Sequence, residues 1–150
     1  MSYMITIKLN CNKSIREKFK TYKIDKHKLE NFLNYHTNNL KKTRKWWYYE
    51  IDVKGIKGVD SQYFWDEDEI EVALNCSDCK TLKQRRIFFI SSLVHEYRHW
   101  VQCKLENVPD KKLDYSEEDI AERSDNYTKN KYELECAEWE KLVEKFNDFI

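Results

Sequence analysis

Residues 81–104 read TLKQRRIFFISSLVHEYRHWVQCK, and the middle of this segment, Ile87 to Val94, is the most apolar stretch of the chain. Thr81 and Gln84 are three residues apart, the spacing of a capping box that opens a helix. The pattern therefore predicts a helix from Thr81 to about Lys104. Because this helix is apolar on nearly every side, we expect it to lie buried in the middle of the domain.

The same helix carries His95-Glu96-Tyr97-Arg98-His99, the pattern HExxH. Two residues four positions apart lie about 40° from each other around a helix, so both imidazoles can reach one metal ion. Glu96 projects about 100° from His95, close enough to hold a water beside that ion without binding the ion itself. With zinc as the metal, the pattern predicts hydrolysis by a metal-activated water, with Glu96 as the general base.

An alternative is that these residues are incidental, two histidines and an ion-paired glutamate in a helix. The chain has only four histidines, and two of them fall at the required spacing around the required glutamate. Burying such polar groups without a partner would cost roughly 2–7 kcal/mol each. A bound zinc ion, one per chain, supplies that partner and accounts for the pattern.

The motif leaves the third metal ligand open. The other histidines, His27 and His36, lie upstream, so a carboxylate or a cysteine remains. Residues 130–139 read NKYELECAEW and begin a helix whose apolar residues fall on one stripe. The stripe residues are Tyr132, Cys136, Trp139, Val143, Phe146 and Ile150.

Two arguments select Glu135 on this helix. At about 100° per residue, Glu135 lies roughly 60° from the centre of the stripe, and Glu133 lies roughly 100° away on the other side. Asn130 and Glu133 also form a capping box, which would occupy the Glu133 carboxylate with backbone N–H groups. We therefore expect Glu135, not Glu133, to complete a His₂Glu set.

With these residues the chain resembles the gluzincins, zinc peptidases of the thermolysin clan, and especially their minimal single-domain forms, the minigluzincins. The resemblance spans residues 46–146 and rests on HExxH, on Gln102 after it and on the later helix. It implies an antiparallel edge strand, here Glu69 to Asn75, that pairs with extended substrate. The strand residues are Glu69, Ile70, Glu71, Val72, Ala73 and Leu74. Cys136 departs from the family, which has Ala there, and Lys131 stands where Pro is frequent.

Four further residues are candidates around the metal. Tyr127 and Tyr132 precede or open the last helix, where a tyrosine could donate a hydrogen bond to the developing oxyanion. Gln102 and Glu138 are candidates for groups that surround the ligands.

The remaining chain predicts an α+β fold of one domain, residues 1–150. Alternating patterns indicate strands at residues 2–9, 46–53 and 69–74, and helical spacing indicates a helix from Asp25 to Lys41. A short helix is expected within residues 114–125. These elements form a small antiparallel or mixed sheet packed on the buried HExxH helix, with a C-terminal helix that carries the third ligand.

Charge and composition limit the kinds of partner and the cellular location that the sequence allows. Equal numbers of basic and acidic residues, 27 of each, are not the composition of a polycationic nucleic-acid binder, so no nucleic-acid partner is expected. The charge balance itself names no partner; a peptide or protein substrate is expected from the HExxH motif. No stretch approaches the roughly 18 apolar residues of a membrane span. Five cysteines at no disulfide spacing favour reduced thiols, Cys76 and Cys79 included, and a cytoplasmic location. The richness in Lys, Asn, Ile and Tyr is typical of an AT-rich genome; for a viral or phage protein the location is the host cytosol.

The leading functional hypothesis is a zinc-dependent endopeptidase. The alternative is a non-catalytic, zinc-stabilised binding or regulatory subunit of a viral or toxin–antitoxin type assembly. Glu96 favours the enzyme, because a purely structural site has no use for a base that does not bind the metal.

Overall fold

The computed structural model describes residues 4–58, 60–109 and 131–145. The strands are β1 (Ile5–Cys11), β2 (Trp47–Ile56), β3 (Gln62–Tyr63) and β4 (Glu69–Ala73). The helices are α1 (Lys13–Thr21), α2 (Lys26–Leu40), α3 (Leu82–Lys104) and α4 (Lys131–Lys145). The predicted α+β class is confirmed. The short helix expected within residues 114–125, Tyr127 and the capping Asn130 lie outside the described residues.

The four strands form one mixed sheet in the order β1-β2-β4-β3. β1 is parallel to β2, β2 is parallel to β4, and β3 is antiparallel to β4. Buried residues alternate with more exposed ones from Ile5 to Leu9 in β1, and in the middle of β2 Ile51 and Val53 are buried. Because alternate side chains point to opposite faces, the helices cover one face of the sheet, and the other carries polar residues.

The structure corrects the expected position of the substrate-pairing strand. β3 pairs with the outer side of β4, with Tyr63 opposite Ile70, and the N–H of Ala73 donates to Ser61 Oγ at 2.8 Å. β4 is therefore an interior strand and β3 forms the edge. Glu69, Ile70, Glu71, Val72 and Ala73 form this interior strand, and Leu74 follows its end. A strand of two residues is too short to produce an alternating pattern, so the sequence did not reveal it.

Side chains of α2 protect the opposite edge of the sheet. They lie one helical turn apart and accept backbone N–H groups of β1. Asn38 Oδ1 accepts from Ile5 at 2.9 Å, Asn34 Oδ1 from Ile7 at 2.6 Å, and Glu30 Oε2 from Leu9 at 2.8 Å. This satisfies donors that an exposed edge strand would offer to another chain.

α3 lies between the sheet and α4, as predicted for a buried helix. Thr81 caps it, and the reciprocal bonds with Gln84 form the expected capping box. From Phe89 onward most of the helix is buried, including the polar residues Glu96, Arg98, His99 and Gln102. The same packing that encloses the apolar side chains therefore encloses the HExxH residues.

Cys76 and Cys79 form a disulfide in the loop between β4 and α3. The expectation of free thiols is wrong for this pair, whose Cα atoms the loop brings to 5.4 Å. Among the described residues, Cys11, Cys103 and Cys136 are free. None of the described helices combines the length and apolar character that a membrane span requires.

Replacing Asn34 with Ala should lower the free energy of unfolding by about 1–3 kcal/mol, because the buried N–H of Ile7 loses its acceptor. Asn39→Ala on the same helix is the matched control, since Asn39 is exposed. Urea unfolding of both variants measures the difference. Equal stability of the two variants would contradict the role given to Asn34.

Candidate metal centre

Three ionisable side chains from two helices converge between α3 and α4. Glu133 Oε2 lies 2.9 Å from His95 Nε2, and Glu133 Oε1 lies 2.9 Å from His99 Nε2. The two imidazole rings lie edge to face with centroids 5.1 Å apart. The side chains of His95, His99 and Glu133 are 14%, 9% and 8% exposed, respectively. One carboxylate therefore bridges both imidazoles in a nearly closed site.

The other ring nitrogen of each histidine has its own acceptor. Glu140 Oε1 lies 2.5 Å from His95 Nδ1, and Gln102 Oε1 lies 2.8 Å from His99 Nδ1. The Gln102 amide nitrogen donates to Tyr132 O and to Glu135 Oε1, at 2.9 and 3.0 Å. Its oxygen is therefore the atom that faces His99. These contacts hold each ring through its Nδ1 and direct each Nε2 toward Glu133, the arrangement found in metal-binding histidines.

The pKa values of His95 and Glu133 are shifted by their contacts with each other and with neighbouring groups. Burial lowers the pKa of His95, but hydrogen bonds to the Glu133 and Glu140 carboxylates outweigh burial and raise the pKa to about 10. Burial acts to raise the pKa of Glu133, but the hydrogen bonds from both histidines hold it well below its usual range. A metal ion at this point would replace imidazole protons, so its uptake would release protons.

Glu96 lies buried beside this cluster, with 8% of its surface exposed. Burial raises the pKa of its carboxyl group, while the charges of His95 and His99 act to lower it. The HExxH motif therefore provides a carboxylate close to the imidazoles, in surroundings that make it a better proton acceptor than an exposed glutamate.

Cys136 offers a further donor atom. His95, His99 and Cys136 can each place one ligand atom within 4.8 Å of the others, so this group could hold a metal ion. Cys136 Sγ lies 3.6 Å from His99 Nδ1, which is the ring nitrogen that Gln102 already occupies. Burial raises the pKa of this thiol far above its usual range. The cysteine thus lies on the Nδ1 side of His99, whereas Glu133 lies on the Nε2 side of both rings.

Glu135, the third ligand expected from the sequence, contacts neither imidazole in the structure. Its carboxylate accepts from Gln102 and lies 3.5 Å from Arg98 Nη2. The buried residues of α4 are Glu133, Cys136, Trp139 and Val143, whereas Tyr132 is half-buried. The face of α4 that packs against α3 therefore includes Glu133. It is rotated toward Glu133 from the centre of the apolar stripe from which the angles were measured.

Arg98, inside the HExxH motif, joins the two helices beneath the site. Its side chain is 2% exposed and forms ion pairs with Glu106 and Glu135. Its guanidinium carbon lies 5.1 Å from the centroid of the Trp139 ring. A buried cation with two carboxylates and an aromatic ring fixes how α4 packs on α3.

Three further side chains of α4 were considered or overlooked in the sequence: Glu140, Glu138 and Tyr132. Glu140 was missed, although it is seven residues from Glu133 and so falls on the same helix face. Glu138 is exposed on α4. Tyr132 is half-buried and contributes its carbonyl to Gln102, and the oxyanion role of its phenol stays a prediction.

Comparisons with known proteins supply no family. A scan against protein-family models finds no match, and searches of curated proteins and of solved structures find none either. The interpretation of the site therefore rests on the spacing of HExxH and on the contacts around it.

Added zinc should raise the melting temperature of the parent protein, because a ligand that binds only the folded state stabilises it by about 2.7 kcal/mol at 100 times its Kd. His99→Asn removes a ligand but leaves Glu133 a hydrogen-bond donor, and we expect this variant to lose most of the shift. His27→Asn, at an exposed position on α2, is the control and should keep it. A parent protein that zinc does not stabilise, or a His99→Asn variant that zinc stabilises fully, would contradict the metal centre.

Proposed function

We propose that this protein is a zinc-dependent peptidase in which His95, His99 and Glu133 bind the metal and Glu96 is the general base. The supporting observation is the Glu133 carboxylate, whose oxygens lie 2.9 Å from the Nε2 atoms of both histidines. Two histidines and a glutamate are a donor set that catalytic zinc sites use. The proposal assigns the glutamate to position 133 in place of position 135.

Glu133 is a better candidate for the third ligand than its two neighbours on α4. Glu135 is occupied with Gln102 and Arg98. Cys136 would have to lose a proton that burial retains, and it lies beside the Nδ1 of His99. The carboxylate of Glu133 already faces the Nε2 atoms of both histidines. It could therefore bind a metal ion there without losing a proton and without moving to another side of the rings.

The chemistry divides between the metal and the residues around it. Zinc, when bound, lowers the pKa of a coordinated water to about 7 and polarises a carbonyl group. Glu96 accepts the proton of the attacking water and passes it to the leaving amine, a role favoured by the raised pKa of its carboxyl group. Glu140 and Gln102 hold the two imidazoles in position through Nδ1.

An extended peptide is the substrate class that fits the sheet. β3 is one edge of this sheet and runs antiparallel to the other three strands. A substrate that adds to the sheet by strand pairing would therefore pair with β3 rather than with β4.

The enclosure of the site favours a second candidate, in which the metal only joins α3 to α4 in a binding or regulatory subunit. A structural metal site stabilises the fold through ligands from two helices. The side chains of His95, His99 and Glu133 are only 8–14% exposed, which leaves little room for a substrate. Glu96 separates the two candidates, because it has a role only in catalysis.

Zinc affinity should identify the third ligand. Glu133→Gln should weaken zinc binding by roughly 10²-fold or more, beyond the 10–100-fold typical of residues that only orient a ligand. Glu135→Gln and Cys136→Ala should weaken it less than Glu133→Gln does. Competition with a chromophoric chelator measures all three variants. Loss of zinc by Cys136→Ala with retention by Glu133→Gln would instead establish the His/His/Cys set.

Glu96→Gln should keep zinc and the fold but lower the rate of peptide hydrolysis by about 10² or more, because the amide cannot accept a proton. Glu138→Gln, the same change at an exposed position on α4, should leave the rate unchanged. Cleavage of a fluorogenic peptide mixture by the zinc-loaded proteins provides the rates. Equal turnover by Glu96→Gln and the parent would exclude this role, and a zinc-loaded parent that cleaves nothing would favour the binding subunit.

A further inference from the structure

We infer that a cationic groove at the start of β2, separate from the metal centre, binds single-stranded nucleic acid. The groove encloses about 290 Å³ and lies where α2 ends, β2 begins and α3 ends. Its lining includes Lys41, Lys42, Trp47, Tyr49 and Lys104. None of these residues contacts the ligands of the metal centre in the described part of the chain.

The aromatic side chains of the groove form an ordered platform. The Trp47 and Tyr49 rings are parallel within 3°, with centroids 6.1 Å apart. Tyr49 also packs edge-on against Trp100 at 5.1 Å, which anchors the pair to α3. Yet Trp47 remains 45% exposed. Large apolar rings held in order and left in contact with water mark a binding surface rather than a core.

Positive charge surrounds these rings. Lys41, Lys42, Arg44 and Lys45 are exposed and directly precede the aromatic segment. Within the described residues none of these four forms an ion pair, whereas Lys104, on the far side of the groove, lies 3.7 Å from Asp68 Oδ1. The net charge of zero therefore hides a local excess of cations beside exposed rings.

Single-stranded nucleic acid is the ligand that uses both features. Its phosphates pair with cations while its unpaired bases stack on aromatic rings. An acidic peptide would use only the cations, and a duplex keeps the faces of its bases hidden. The volume of about 290 Å³ lies at the low end of ligand clefts and suits one base rather than a folded partner. This inference departs from the composition-based expectation of no nucleic-acid partner, because the fold places Lys41, Lys42 and Lys104 in one cleft with Trp47 and Tyr49.

Fluorescence anisotropy with a labelled thymidine oligonucleotide of about 12 nucleotides, at about 50 mM salt, tests the inference on the full chain. The parent protein should bind. The double variant Lys41→Ala/Lys42→Ala should weaken binding at least tenfold. It should also reduce the slope of log K against log salt concentration by about 1.4, the value for two lost phosphate contacts on a single strand. Trp47→Ala should weaken binding roughly 5- to 140-fold without changing the salt slope, as loss of one stacked base does.

Lys13→Ala/Lys20→Ala is the matched control, since both lysines are exposed on α1, away from the groove. This control should bind like the parent. The inference is overturned by a parent that does not bind, by a control as weak as the groove variant, or by a duplex that binds as tightly as the single strand. The inference would also be overturned if polyglutamate displaced the oligonucleotide and Trp47→Ala bound the oligonucleotide as tightly as the parent. That result would identify a surface for acidic peptides. The exposed lysines of the groove can be replaced without disturbing the core, so a failure of Trp47→Ala to fold leaves the test intact.

Discussion

The Glu133 carboxylate, held between the imidazoles of His95 and His99, is the contact on which the arrangement of α3 and α4 depends. Burying three ionisable groups would cost several kcal/mol each if they were unpaired, so each must meet a partner from the other helix. Glu133 and Glu140 meet that requirement for the histidines. Between the two histidines on α3, Arg98 pairs with Glu135 of α4. The contacts that fix the position of α4 are therefore the same contacts that build the site.

The strongest local signals in the sequence correctly predicted the frame of this site. The capping box of Thr81 and Gln84 marks the start of α3, and the apolar run before His95 accounts for its burial. The spacing of His95 and His99 by itself places both rings on one helix face. These features depend on helix geometry and hydrophobicity, which act within a single segment and so are readable without a structure.

The sequence could not predict features that depend on how segments pack. The inward face of α4 is set by its contact with α3, which buries Glu133 and leaves Tyr132 half-buried, so an angle measured from the apolar stripe favoured Glu135. β3 exists because two residues pair with β4. The Cys76–Cys79 disulfide depends on the shape of one loop. The groove likewise depends on packing, because the end of α3 brings Lys104 to the cleft that Lys41 and Trp47 also line.

An anomalous difference map at the zinc absorption edge, from crystals of the zinc-loaded protein, tests the metal centre most directly, because it locates the ion without reference to activity. We expect one strong peak per chain, bounded by the Nε2 atoms of His95 and His99 and by the carboxylate of Glu133. A peak bonded to Cys136 Sγ in place of Glu133, or no peak between α3 and α4, would contradict it.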